Sequence, residues 1–177
     1  QLVEAARARS RLACVSAASH HGLSLLRPPT VLHLWAPPDA RTPPTALSRM
    51  HRSRPLLAPR PDQLVESLPD ALAHVADCLP RLEALIVWES ALRRGLIGRH
   101  EIRRIAWPHL AARRLAAEAS HLSDSLLETL LAAGLRDHGI PYRQQVTLLG
   151  SPVDFVVGRG LVVQTDGYAY HSSSSQR

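Results

Sequence analysis

The sequence predicts an α+β protein: a mostly helical N-terminal region carrying a small irregular sheet, then a helix followed by a three-stranded antiparallel meander. Three observations lead there. Ala and Leu, rather than aromatics at 4%, supply most of the apolar side chains, which favours helices. Most of the 14 prolines crowd between residues 27 and 61, which interrupts helix there. After residue 123 a helical apolar stripe gives way to three short β-type runs, joined by turns too short for anything but antiparallel neighbours. A chain of 177 residues can bury one sizeable core or two small ones. The change of texture places a boundary between residues 1–121 and 122–177.

The elements follow in order. The first 25 residues read as helical, with Gly22 as a stop. In the proline-rich segment 27–61, the runs Val31 to Trp35 and Leu47 to Arg52 read as short strands, which the surrounding prolines would confine to a sheet edge. Ser67 and Asp70 resemble a capping box, and Leu68, Leu72, Val75 and Leu79 follow at helical spacing. Pro80 opens a second helix, with Leu82, Leu85, Ile86 and Leu92 inward and Gly95 as terminator. Ile102 and Ile105 mark a third, and a fourth runs from Pro108 to about Glu118. Ser125 and Glu128 match the S-x-x-E capping box ahead of a stripe of Leu126, Leu127, Leu130, Leu131 and Leu135, closed by Gly139 and Pro141. Strands are expected at Gln144 to Leu149, Val153 to Val157 and Leu161 to Thr165.

All 21 basic residues are Arg, and the net charge is +6. That charge suits a polyanionic partner, although a GC-rich genome that disfavours Lys and Asn codons gives the same bias. The Arg pairs at 93–94, 103–104 and 113–114 read first as solvated helix faces and second as a DNA-facing surface. Cys14 and Cys78 lie far apart without a CxxC, so neither a zinc site nor a disulfide framework is expected, and both read as small buried hydrophobes. His20, His21, His33 and His51 match no metal-binding spacing and read as structural. No 18-residue apolar run and no signal peptide are present, so a cytoplasmic protein without a membrane span is expected. The chain begins at Gln1 rather than Met, and residues upstream are expected.

The chemistry concentrates in the meander. Side chains repeat every two residues along a strand, so Asp154 shares a face with Val156, and Gln164 with Val162 and Asp166. If those faces coincide, two carboxylates and an amide oxygen converge. Mg²⁺ takes such hard oxygen ligands and completes its octahedron with water and phosphate oxygens. The competing reading makes Asp166-Gly167 a turn and Asp154 a solvent-facing strand residue.

The stretch from Ser123 to Arg177, with its S-x-x-E helix, V-D-F strand and LVVQTDGYAYH run, resembles the very-short-patch-repair endonucleases of the PD-(D/E)XK superfamily. That resemblance implies a restriction-endonuclease-like core binding Mg²⁺ or Mn²⁺ and cutting DNA. It makes Asp154 the metal-binding aspartate, with Gln164 and the Thr165 carbonyl as further ligands. It gives Asp166 and His171 the acid–base work, and Glu128 a supporting carboxylate. The superfamily's Lys is absent, with Asp166 at its place; Gln164 falls at the Glu or Gln position but cannot serve as a charged ligand; and the core is expected to continue past Arg177, so this stretch reads as truncated. Tyr168 and Tyr170 suit either base stacking or packing. Upstream, CVSAASHHGL, VLHLW, RMHRSR and DALAHVADCLP resemble AbiEi-type antitoxin and regulator proteins. Two functions therefore stay open: a metal-dependent DNA endonuclease of repair or defence, and a DNA-binding regulator or antitoxin-like protein, with a possible cognate toxin, whose nuclease fold is inactive.

Overall fold

The structure, a computed structural model, describes residues 1–40 and 47–165. Over these residues the protein is α+β, with seven helices and two three-stranded sheets. It divides into two compact units, Gln1–Ala119 and Ser120–Arg177.

The first unit runs α1 (Leu2–Arg7), β1 (Arg11–Leu12), α2 (Cys14–His20), β2 (Leu32–Ala36), β3 (Ser48–Arg52), α3 (Leu68–Cys78), α4 (Arg81–Arg93), α5 (Arg99–Arg104) and α6 (Leu110–Glu118). The helical stretch expected over the first 25 residues is broken by a strand. Arg9 and Cys14, on either side of β1, take left-handed backbone conformations at φ +48° and +50°. Between them Leu12 is bonded on both sides. It pairs antiparallel with Leu34 of β2, while its N–H donates to the Leu64 carbonyl and its carbonyl accepts from the Glu66 N–H. Those pairings, and the burial of Leu12 at 1% exposure, outweigh the helical preference of the local sequence. Gly22, at φ +74°, ends α2 as the sequence predicts.

The sheet order is β1-β2-β3, with β2 and β3 parallel from Leu32↔Ser48 to Ala36↔Arg52. β2 is thus a central strand, against the expectation of an edge. The prolines permit this because Pro37 and Pro38 come just after its last residue and remove no donor from the ladder. Leu12 and Leu34 pack with Ala5, Ala17 and Ala71, so the small side chains let the helices approach the sheet closely.

Ser67 caps α3 as expected, its Oγ accepting the Asp70 N–H at 3.2 Å. The Asp70 carboxylate accepts instead from the Ser67 hydroxyl and from the Leu56 N–H, both at 2.6 Å, which ties the proline-rich segment to the start of the helix. In α4, Leu85, Ile86 and Trp88 are buried, and Trp88 Nε1 donates to the Leu72 carbonyl at 3.1 Å. Leu82 is 38% exposed rather than inward, since the buried run of α4 begins one turn along, at Ala84. Trp107 meets Trp88 at a centroid distance of 4.6 Å, locking the segment after α5 against α4.

The second unit runs α7 (Leu126–Asp137), β4 (Tyr142–Leu148), β5 (Ser151–Val157) and β6 (Leu161–Val163), the strands forming an antiparallel meander in that order. Ser125 Oγ accepts the Glu128 N–H at 3.1 Å, and Gly139 closes the helix at φ +65°. The inward face of α7 keeps Leu131 and Leu135 of the predicted leucine stripe but not Leu127. Glu128, Thr129, Ala132, Ala133 and Leu135 are buried, while Leu127 is 47% exposed. Ala132 and Leu135 meet Phe155, and alanines on this face let the sheet come close. β4 begins two residues before the predicted start and ends at Leu148, and β5 begins two residues nearer the turn than predicted, at Ser151. Leu149 and Gly150, at φ +51° and +84°, form a two-residue turn whose twist matches the strands. β6 ends at Val163, short of the expected Thr165, because the Thr165 N–H bonds a side chain instead of a ladder partner.

Phe155 is fully buried. Phe155→Ala should cost about 3–5 kcal/mol, the usual cost of emptying a buried aromatic site. Urea denaturation followed by circular dichroism measures this, and a loss under about 1 kcal/mol would show that the meander does not pack on α7 through this residue.

Candidate functional site

In the second unit Asp154 sits mid-strand on β5. The β4–β5 ladder runs from Tyr142↔Val157 to Leu148↔Ser151 and omits one position, Gln145 opposite Asp154. Gln145 is a non-glycine residue at φ +51°, so the ladder opens beside the aspartate. Asp154 Oδ2 accepts two bonds from the residue beyond β6: the Thr165 N–H at 2.7 Å and the Thr165 hydroxyl at 3.0 Å. Two donors on one oxygen fix the orientation of the carboxylate and leave Oδ1 for another partner.

The other expected residues stand as follows. Gln164 is exposed and beyond β6. Glu128 is 4% exposed, and its Oε2 accepts the Asp124 N–H at 2.9 Å and Gln145 Nε2 at 3.0 Å. It thus holds Gln145, the residue across the ladder from Asp154. Asp166 and His171, with Tyr168 and Tyr170, lie outside the described residues.

The first unit holds a second constellation that the sequence reading set aside. Cys14 at the start of α2, His33 on β2, His51 on β3 and Cys78 at the end of α3 place one donor atom each within 4.8 Å of one another. This Cys/His group could hold a metal ion, where the sequence predicts no zinc site, two small buried hydrophobes and structural histidines. His33 Nδ1 lies 3.0 Å from His51 Nε2 and 3.9 Å from Cys78 Sγ. The two imidazoles stack at a centroid distance of 5.2 Å.

A buried polar network backs the group. Glu66, 4% exposed, accepts from His74 Nδ1 at 2.9 Å and from the Cys14 N–H at 3.4 Å. His74 Nε2 in turn lies in hydrogen-bond contact with the Ser53 hydroxyl at 2.8 Å. The His74 ring lies 4.8 Å from that of His51. Burial, with His74, His33 and Arg49 adding positive charge nearby, pushes His51 down to about 3, so its ring is neutral at physiological pH. The two cysteines share a hydrogen bond: it raises Cys14, which burial raises further, and lowers Cys78 toward thiolate. Burial raises Glu66, opposed by its bond to His74. No sequence spacing advertises this group, because its members come from four elements far apart in the chain.

No family model, curated protein or solved structure matches the chain.

Glu66 joins the start of α2 to α3. Glu66→Ala leaves His74 and the Cys14 N–H without their buried acceptor, and should cost about 3–5 kcal/mol. Glu66→Gln, which keeps an acceptor oxygen, should cost less. Equal costs for the two, measured by urea unfolding, would show that the network contributes through packing rather than hydrogen bonding.

Proposed function

We propose that the protein is a Mg²⁺- or Mn²⁺-dependent DNA endonuclease of very-short-patch-repair type, with its metal site at Asp154. The observation that carries this reading is Asp154 itself. It is a carboxylate in the middle strand of a helix-then-meander unit, at the interrupted position of the ladder, oriented by both donors of Thr165. Asp154 and the Thr165 carbonyl would hold the ion, with the exposed Gln164 amide oxygen as a weaker ligand. So few protein ligands fit Mg²⁺, which keeps several waters and takes substrate phosphate oxygens. When bound, the ion polarises the scissile phosphate and makes hydroxide accessible near neutral pH. Asp166 and His171 are the proposed acid–base pair, and Glu128 holds Gln145 across the ladder from Asp154. Arg94, Arg99, Arg103, Arg104, Arg113 and Arg114 are exposed and supply phosphate contacts.

One observation favours a second reading, a DNA-binding regulator or antitoxin-like protein with an inactive nuclease fold. Gln164 offers a neutral, exposed amide that cannot serve as a charged ligand or base.

Plasmid nicking beside a DNA-binding titration separates the two. The endonuclease reading predicts Mg²⁺- or Mn²⁺-dependent nicking that Asp154→Asn lowers roughly 100-fold or more while affinity holds. Thr165→Val, which removes one of the two bonds orienting Asp154, should lower nicking about 10-fold. Binding without nicking in either metal would support the regulator.

Both readings require binding through Arg–phosphate contacts, so affinity should fall steeply between about 50 and 200 mM salt. Salt-independent affinity would contradict both.

A further inference from the structure

We propose that Cys14, His33, His51 and Cys78 form a closed, four-ligand zinc site that clamps the first unit. The site is separate from the nuclease reading and does not rest on it.

The donor chemistry selects the ion. Two sulfurs and two imidazole nitrogens, with no carboxylate among them, suit Zn²⁺ and not the hard cations Mg²⁺ or Ca²⁺. The spacing suits it too. With Zn–N about 2.0 Å and Zn–S about 2.3 Å, a tetrahedron sets its donors about 3.3 to 3.8 Å apart. The 3.0 Å and 3.9 Å separations from His33 Nδ1 bracket that range, and all four donors lie within 4.8 Å of one another. Only shifts of a few tenths of an ångström to about an ångström are needed.

The approach of the groups also fits a shared centre better than separate hydrogen bonds. An imidazole nitrogen makes one in-plane hydrogen bond, yet His33 Nδ1 is approached by both His51 Nε2 and Cys78 Sγ. Cys14 joins them from a left-handed backbone at φ +50°, a conformation that costs a non-glycine residue free energy and persists where surroundings enforce it. Its N–H is held by Glu66, which also bonds His74, whose ring lies against His51. A carboxylate and a histidine thus position ligands that they do not replace, as the outer partners of metal sites do.

Four ligands from four elements leave no position for a substrate or water, so the ion is structural rather than catalytic. It would join the start of α2, two parallel strands and the end of α3, and would take up both cysteines as thiolates with release of their protons.

The full chain, purified under reducing conditions, should carry one zinc per molecule by elemental analysis. The stripped protein should take up one Co²⁺ with a thiolate-to-cobalt charge-transfer band and the visible spectrum of a tetrahedral ion. Chelation should lower the melting temperature. Cys78→Ser and His51→Ala should each weaken Co²⁺ binding by about 10-fold or more. Because either variant could unfold, thiol alkylation of the wild type gives an independent reading: zinc should protect both cysteines, and a chelator should expose them. Asp154→Asn should keep its zinc, so that failure here and failure of the nuclease reading are distinguishable. The proposal is overturned by a metal-free protein that takes up Co²⁺ without a thiolate band, by a Cys14–Cys78 disulfide in the freshly reduced and purified chain, or by loss of zinc in Asp154→Asn.

Discussion

Three segments of the first unit meet at one buried carboxylate. Glu66 follows the backbone bridge in which Leu12 bonds the 64–66 segment, and its side chain binds both the start of α2 and the middle of α3. A buried acid is tolerated when it is hydrogen-bonded, and His74 and the Cys14 N–H both bond its Oε2. That requirement sets where α2 begins and how α3 lies against it. It also sets where Cys14 and His74 stand relative to β2 and β3. His33, His51 and Cys78 then fall within reach of Cys14 because the parallel pairing of β2 with β3 and the length of α3 leave them there.

Both candidate sites are marked by a non-glycine residue in the left-handed region, Cys14 in the first unit and Gln145 in the second. Such a conformation is unfavourable by itself, and neighbouring interactions must hold it. At Cys14 the neighbour is Glu66; at Gln145 it is Glu128. Each case pairs a buried carboxylate with a strained backbone position next to a group of potential ligands. In the second unit the strain interrupts the ladder at Asp154, and the Thr165 bonds replace the ladder contacts that β6 gives up.

Local signals read well from the sequence. The serine caps at Ser67 and Ser125, the glycine stops at Gly22, Gly95 and Gly139, and the helix-then-meander order are each decided within a few residues. The break at Arg11–Leu12 was not legible, because its cause is pairing with residues more than 20 and 50 positions away. The leucine stripe of α7 failed at Leu127 for a related reason. Close approach to the sheet rewarded Ala132 and Ala133 over Leu127, and packing distance is a tertiary property. Asp154 was legible as a strand carboxylate, but Gln145 carries no signature of its conformation. The Cys/His group was least legible of all. A zinc site is recognised in sequence by short ligand spacings, and here each ligand arrives on its own element.

The Cys/His group, proposed as a zinc centre, ties together four elements of the first unit. X-ray absorption at the zinc edge of the purified chain tests it most directly. A zinc centre here gives a four-donor shell with two sulfurs at about 2.3 Å and two nitrogens at about 2.0 to 2.1 Å. A shell of oxygen and nitrogen alone, with no sulfur scattering, would contradict it.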